Sequence, residues 1–184
     1  MLASFFFEKE GKCRYNIEIL PLPSDKSEYP PLLPVGLHVV SVTQLVNLCV
    51  TPFPLSSTRK NIMHGLQKVL DRLDWAGVEA EVWVNGSFLT QKMDPEDSDI
   101  AVRVSYNVYE SGTAEQRAVL DWLGNEDLKP DYLCHSFFWV EWPVSHPMYW
   151  VGEYERAYWL RQWGFSRGEE YKGIAVVKLG RENK

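Results

Sequence analysis

The sequence predicts a mixed α/β domain in which helices pack on a β-sheet. One observation is a strand, turn, strand stretch over residues 82–104, where β-branched and aromatic residues flank Asn85 and Gly86. A second is the helical spacing of apolar residues across residues 58–75. Segments of the two kinds alternate through the rest of the chain, which is typical of proteins whose helices cover a mixed sheet.

The first 31 residues are predicted to form an appendage, and residues 32–184 the main domain. Residues 4–8 and 13–20 have the composition of two strands joined by a short turn, which predicts a β-hairpin. A proline-rich connector follows the hairpin. We expect the hairpin to cover an edge or a face of the main domain; the alternative is an arm that binds a partner.

Four helices are predicted from capping residues and apolar periodicity. Ser41 is a suitable N-cap for a helix through Val46, which the prolines that follow would end. Thr113 and Gln116 stand at the spacing of a capping box and open a helix that stops at Gly124. The other two helices are predicted over residues 58–75 and 153–163.

Four strands are predicted for the main domain. Alternation and β-branched or aromatic composition mark residues 82–84, 97–104, 132–140 and 174–179. Tryptophan and tyrosine are concentrated between residues 139 and 163, and we interpret this aromatic density as core packing.

The composition argues against several classes of protein. The chain has 184 residues, with 19 Lys and Arg against 25 Asp and Glu, and this net charge of −6 argues against a surface for duplex nucleic acid. Its three cysteines are widely spaced, which suggests neither a disulfide framework nor a zinc site. The apolar runs are too short for a signal peptide or a membrane span, so we expect a cytoplasmic protein without membrane contact.

The turn after the first strand of the central stretch is a candidate phosphate cradle. Gly86 lets the backbone approach a ligand closely, and Ser87 adds a hydroxyl. We expect residues 88–92 to form a short helix whose unpaired N–H groups face the same point. Lys92, at the end of that helix, is a further candidate for binding phosphate.

Two aspartates open the second strand of the same stretch. Asp97 and Asp99 point to one face because side chains alternate along a strand. They lie roughly 7 Å apart and repel one another unless a positive group is near. Mg²⁺ binds one or two carboxylates together with phosphate oxygens of a substrate, so this pair beside a Gly-Ser turn predicts a site for Mg²⁺ or Mn²⁺.

These motifs in combination resemble a known signature. A strand, Gly-Ser, nine residues and then Asp-x-Asp opening an apolar strand is similar to the DNA polymerase beta nucleotidyltransferase superfamily, particularly its minimal nucleotidyltransferase branch. The runs GSFLTQKMDPEDSD, LPVGLH and GFSRGEEYKGI resemble a small prokaryotic and phage group of that superfamily. The resemblance covers roughly residues 33–180.

The resemblance implies a nucleotidyltransferase-like fold and the metal-dependent transfer of a nucleotidyl group from a nucleoside triphosphate to a hydroxyl. Asp97 and Asp99 would be catalytic and hold the metal. The acceptor is left open between a protein, an RNA and a small molecule, in a toxin–antitoxin or phage-defence setting with a toxin or defence protein as partner. The residues expected to bind the nucleotide are Gly86, Ser87, Lys92, Arg167 and Lys172, the last two from the late motif of the group.

The superfamily usually places a third carboxylate on the strand beside the Asp-x-Asp pair, and here the matching position carries His135. Asp131 and Glu141 are the other candidates, and alternation puts all three on one face. His135 is favoured because it lies in the middle of the predicted strand. A neutral imidazole is a poorer ligand for Mg²⁺ than a carboxylate, but it can bind Mn²⁺ or act as a base.

His135 also motivates a second functional class. A chain that keeps the fold but has lost the third carboxylate could act as a non-catalytic binding protein, such as an antitoxin or a defence or counter-defence component. Magnesium-dependent release of pyrophosphate distinguishes the two classes.

Overall fold

The computed structural model describes residues 28–180, so the predicted N-terminal hairpin lies outside the described residues. Within that range the chain forms five strands and six helices. The strands are β1 (Gly36–Val39), β2 (Ala80–Asn85), β3 (Ser98–Ser105), β4 (Cys134–Glu141) and β5 (Gly173–Leu179). The helices are α1 (Val42–Cys49), α2 (Arg59–Trp75), α3 (Tyr106–Ser111), α4 (Ala114–Asn125), α5 (Lys129–Tyr132) and α6 (Tyr149–Trp163).

The strands of the described range form one mixed sheet in the order β1-β5-β2-β3-β4. The central pairs, β5 with β2 and β2 with β3, are antiparallel. The outer pairs, β1 with β5 and β3 with β4, are parallel. The predicted class, a mixed α/β sheet with packed helices, is therefore confirmed.

The two faces of the sheet build separate apolar clusters because strand side chains alternate. On one face, Val82, Ile100 and Val102 pack with Leu66 of α2 and Leu123 of α4. On the other face lies a smaller cluster, which the tryptophans of β2, β4 and α6 dominate; its buried members are Trp83, Ala101, Trp139, Trp163, Ile174 and Val176. Each large side chain buried here contributes about 1.5–3 kcal/mol through the removal of apolar surface from water.

Local signals placed most helices correctly. Ser41 and Thr113 each close a capping box, with Gln44 and Gln116 respectively, at the predicted starts of α1 and α4. The helix α2 ends at Trp75, as its apolar periodicity predicts. Within residues 28–180, no helix combines the length and the apolar character that crossing a membrane requires.

The third predicted strand begins two residues late. Residues Lys129–Tyr132 form the helical turn α5, and Leu133 ends that turn in the left-handed conformation with φ 52°. The strand β4 therefore begins at Cys134. The aromatic interpretation also holds only in part, because Trp139 is 2 % exposed whereas Trp150 is 76 % exposed.

The N-terminal part of the described chain runs across the sheet end at which β2 stops. Residues 30–33, which we call the strap, hydrogen-bond the backbone of the chain just beyond that end. Leu32 N–H donates to Leu89 O at 2.9 Å, and Gln91 N–H donates to the Pro30 carbonyl at 2.8 Å. The strap is thus fastened to the chain that follows the Gly-Ser turn.

Candidate functional site

The Gly-Ser turn meets the aspartate pair at the end of the sheet. The antiparallel register of β2 and β3 sets Asn85 opposite Asp99. Gly86, the next residue, has φ 81° and ψ −164°, a conformation that is essentially restricted to glycine. A Cβ at Gly86 would lie 2.3 Å from Asp99 Oδ2, so the turn backbone touches the carboxylate directly. The structure therefore brings these two predicted motifs together.

The expected helix over residues 88–92 is wrong. The structure has one 3₁₀ turn, Ser87–Leu89, and Thr90 is already extended. The hydroxyl of Thr90 donates to Ser87 O at 2.8 Å, which closes the turn after three residues. The phosphate cradle is therefore a tight turn rather than the N-terminus of a helix. Ser87 itself is half-buried at its edge.

Asn85 locks the end of β2 to its surroundings. It is 1 % exposed, and its amide donates to Trp163 O at 3.1 Å and to Gly173 O at 3.4 Å. Its Oδ1 accepts from the Gly86 N–H at 2.8 Å. The turn is thereby held against the C-terminal end of α6 and the start of β5.

Arg59, at the start of α2, holds the chain between the turn and the aspartates. Its side chain is fully buried, stacks on the Phe53 ring and donates only to backbone carbonyls. The acceptors are Cys49, Phe88, Thr90, Lys92 and Met93, at 2.6–3.3 Å. Burial lowers the pKa of its guanidinium, and the side chain acts as a cationic cross-link for this loop.

Asp94 fixes the same loop from outside. Its Oδ1 accepts hydrogen bonds from Ser57 N–H at 2.7 Å and from Ser56 Oγ at 3.0 Å. The hydrogen bond from the Ser57 backbone is the main reason that the pKa of Asp94 lies below its usual value. The buried Arg59 and the exposed Asp94 both hold the loop by hydrogen bonds, and this fixes the positions of Asp97 and Asp99.

Asp97 lies just before β3 and Asp99 within it, and each already faces a basic group. Lys129 Nζ lies 2.8 Å from Asp97 Oδ2, and His135 Nδ1 lies 3.6 Å from Asp99 Oδ1. The adjacent Asp99 carboxylate raises the pKa of His135. The hydrogen bond from Lys129 to Asp97 raises the pKa of Lys129. Lys129 thus supplies a positive partner for Asp97, and His135 supplies one for Asp99 when its ring is protonated.

Of the three candidates for the third-carboxylate position, the structure places His135 beside the pair. The parallel register sets His135 directly opposite Asp99. Asp131 lies in α5 rather than on β4, so strand alternation does not apply to it. Glu141 lies at the far end of β4, where it forms an ion pair with Arg103.

The basic residues predicted to bind phosphate divide into two groups. Lys172 is half-buried just before β5; burial lowers its pKa, while the charges of Asp99 and Glu28 oppose that change. Arg167 acts electrostatically on the same Glu28. Lys92 lies in the loop held by Arg59, and its backbone carbonyl, rather than its ammonium, makes the contact described there. Lys172 is therefore the predicted cation that interacts with the aspartate pair.

The donor set suits a hard cation under one condition. Two carboxylates are the oxygen ligands that Mg²⁺ and Mn²⁺ prefer. Within residues 28–180, however, no group of three or more His, Cys, Asp and Glu side chains is placed to hold a metal ion. The aspartates fit Mg²⁺ or Mn²⁺ only if phosphate oxygens complete the shell and the Lys129 ammonium moves away from Asp97.

Comparison with protein families gives one result. A model described as a family of unknown function, DUF6932, matches residues 25–178, which is more than half of the chain. The chain belongs to the DUF6932 family. No curated protein and no solved structure matches it. The matched range includes the strap, strands β1 to β4 and all of β5 except its last residue.

An apolar pocket opens beside Lys172 in this DUF6932 chain. Its volume is about 180 Å³, and its wall includes Leu160, Phe165 and Tyr171. The rings of Phe165 and Tyr171 lie 5.1 Å apart between their centroids. The pocket thus presents aromatic and aliphatic surface next to a cation that interacts with Asp99.

Sequence reasoning missed three residues of this DUF6932 site. Asn85 was interpreted only as a turn residue, and neither Arg59 nor Lys129 was considered. Arg59 and Lys129 act across 33 and 32 residues of sequence respectively, so a local pattern carries no signal for them. For Asn85, a polar residue ending an otherwise apolar strand is a signal that points to a buried hydrogen bond.

Proposed function

We propose that the chain is a metal-dependent nucleotidyltransferase of the DNA polymerase beta type, which transfers a nucleotidyl group from a nucleoside triphosphate to a hydroxyl. The observation that carries the proposal is the contact between the Gly86 backbone and the Asp99 carboxylate. A Gly-Ser turn that binds phosphate and an aspartate pair that binds metal must be adjacent if both hold the same triphosphate.

The residues take distinct roles in the proposed reaction. The Gly86 backbone and the Ser87 hydroxyl bind triphosphate oxygens, and Lys172 adds a point charge. Asp97 and Asp99 hold Mg²⁺ or Mn²⁺, which neutralises charge on the phosphoryl oxygens when bound. The aromatic pocket beside Lys172 accepts the flat ring of the base.

The proposed chemistry is one displacement at phosphorus. The acceptor oxygen attacks the α-phosphorus, the bond from that phosphorus to the α,β-bridging oxygen breaks, and pyrophosphate leaves. The acceptor hydroxyl proton is removed by a base, for which His135 is the candidate nearest Asp99. Since the Asp99 carboxylate raises the pKa of His135, the neutral imidazole that accepts a proton becomes dominant only above its usual range of pH.

Pyrophosphate release tests the proposal. The parent should release pyrophosphate from nucleoside triphosphates in the presence of Mg²⁺ or Mn²⁺ and of a hydroxyl acceptor. Asp99→Asn should abolish release, whereas Asp121→Asn, which removes the same charge from an exposed position on α4, should leave it unchanged. Equal release from the parent and Asp99→Asn would refute the assignment.

The ion pairs favour a second candidate, a binding protein without catalysis that acts by contact with a partner such as a toxin or a defence protein. Lys129 Nζ lies 2.8 Å from Asp97 and neutralises it without metal, and a protonated His135 would do the same for Asp99. If this reading holds, Lys129→Ala should destabilise the fold without creating metal affinity. A clear gain in Mn²⁺ binding by Lys129→Ala, measured calorimetrically with nucleotide present, would instead favour the transferase.

A further inference from the structure

The loop over residues 166–168 already binds an anion of its own chain. Glu28 Oε1 accepts a hydrogen bond from Gly168 N–H at 2.8 Å, and Oε2 accepts one from Ser166 Oγ at 3.0 Å. A Cβ at Gly168 would lie 2.9 Å from Glu28 Oε2, so the absence of a side chain lets the backbone approach the carboxylate. The loop thus presents convergent donors around one negative group.

These donors are held in place by contacts that do not involve Glu28. Ser166 N–H donates to Glu170 O at 2.7 Å, and Glu169 N–H donates to Ser166 O at 3.2 Å. Arg161 of α6 binds both carboxylate oxygens of Glu169 at 2.7 and 2.8 Å. The loop is therefore expected to keep its shape when Glu28 leaves.

The charges around the loop also favour an anion. Partial desolvation alone would raise the pKa of the exposed Glu28 carboxyl, but hydrogen bonds from Gly168, Ser166 and the Arg167 backbone, together with the Arg167 charge, hold that pKa below its usual value. Lys172 interacts electrostatically with both Glu28 and Asp99. This lysine therefore adds positive charge near both the loop and Asp99.

We propose that the 166–168 loop is a binding site for one end of an oligophosphate, and that Glu28 is an internal anion that competes for it. A phosphate group carries more charge than a carboxylate and offers three acceptor oxygens to the same donors. Glu28, which is joined to the strap, then acts as an internal competitor that weakens phosphate binding. The inference deepens the proposed function, but the loop geometry on which it stands does not require nucleotidyl transfer.

Titration with sodium tripolyphosphate tests the competition, with a chelator present and the ionic strength held constant. In the parent, the amide signals of Gly168 and Arg167 should shift in a nitrogen–proton correlation spectrum. Glu28→Ala should bind tripolyphosphate roughly tenfold more tightly, since a hydrogen bond to a charged group is worth at least about one decade in affinity. Glu110→Ala, which removes an equal charge from an exposed position on α3, should bind as the parent does.

Two further variants make the result decisive. Adding Ser166→Ala to Glu28→Ala should cancel the gain. Should Glu28→Ala unfold, Glu28→Gln replaces it, because the amide keeps the shape of the side chain and removes its charge. The proposal is overturned if neither Glu28 variant binds more tightly than Glu110→Ala, or if the Gly168 signal stays fixed at saturating tripolyphosphate in every protein. In that case Glu28 only anchors the strap.

A second titration, with ATP in place of tripolyphosphate, distinguishes this proposal from the proposed function. Movement of the Gly168 signal with tripolyphosphate and with ATP, but no pyrophosphate release, would support the loop site and refute the transferase. Equal pyrophosphate release by the parent and Glu28→Ala, with no movement of the Gly168 signal, would support the transferase and refute the loop site.

Discussion

Asp99 has a neighbour of different chemistry on each side within the sheet. The backbone of Gly86 touches its carboxylate from the β2 side, and His135 faces it from β4. Lys172 interacts with it electrostatically. A single carboxylate therefore couples phosphate contact, proton affinity and electrostatic balance, and substitutions at its neighbours should have separable effects.

The pH dependence of stability should report the pairing of His135 with Asp99. The pKa of His135 is raised in the folded chain, so its stabilising contribution is complete below the unfolded value of about 6.5 and is lost as pH rises through the folded value. The free energy of unfolding of the parent, relative to that of His135→Gln, should therefore fall between mildly acidic and alkaline pH. Urea unfolding across that range measures this difference, and parallel curves would contradict the pairing.

The role of His135 in catalysis needs a separate comparison. If it is the base, parent activity should rise with pH through a value above 6.5, and His135→Ala should lose that rise. If the site has decayed, His135→Asp should create metal-dependent turnover that the parent lacks. Nucleotidyl transfer by the three proteins with Mg²⁺ and with Mn²⁺ measures both. Identical behaviour of all three would place His135 outside the reaction.

Substitutions at the two turn residues, Gly86 and Ser87, should have different effects. Ser87→Ala should weaken triphosphate binding by about 1.5–3 kcal/mol, the value of a hydrogen bond to a charged group, and leave the fold intact. Gly86→Ala should cost about 1–3 kcal/mol of stability through backbone strain, and its methyl group should also displace Asp99. Calorimetric titration and urea unfolding separate the two effects. If both variants bind triphosphate as the parent does, the turn does not contact phosphate.

At the scale of elements, Arg59 joins α2 to the loop that carries the site. Arg59→Met fills a similar volume but leaves buried carbonyls without donors, so it should cost about 3–5 kcal/mol of stability. Lys60→Met, at the adjacent exposed position, should change stability by less than about 0.5 kcal/mol. The urea midpoints of the two variants give the comparison, and a loss below about 1 kcal/mol for Arg59→Met would show that the loop does not depend on it.

Elements with local signals were predictable, and those made by distant pairing were not. The capping boxes at Ser41 and Thr113 depend on residues three apart; the sequence predicted Ser41 as an N-cap and the full capping box at Thr113. The strand β1 has four residues, two of them Gly and His, and it is a strand because it pairs with β5 more than 130 positions later. Such pairing leaves no periodic signal in a segment this short.

The candidate site follows the same division. Its central motif lies within 14 residues, from Gly86 to Asp99, and the sequence predicted both halves and their adjacency. The groups that balance its charge come from other elements. Lys129 reaches Asp97 because α5 ends beside β3, and no pattern around Lys129 indicates this.

At the scale of the whole molecule, ligand binding should raise the stability of the folded chain. If nucleotide and metal share the aspartate pair, neither alone should raise the melting temperature much, because Lys129 already pairs with Asp97 and the metal needs phosphate oxygens to complete its shell. Both together should stabilise the fold by about 2.7 kcal/mol at a hundredfold excess over the dissociation constant. Thermal scans with ATP, Mn²⁺ or both measure this, and strictly additive shifts would contradict a shared site.

The strap has a consequence for dissecting the chain into fragments. A fragment that began at residue 32, the predicted start of the main domain, would lack the Pro30 carbonyl that accepts from Gln91 and the carboxylate of Glu28. The same attachment connects the segment before residue 28 to the site. A partner that exerted a force on that segment would act on the backbone beside the Gly-Ser turn and on the 166–168 loop at once.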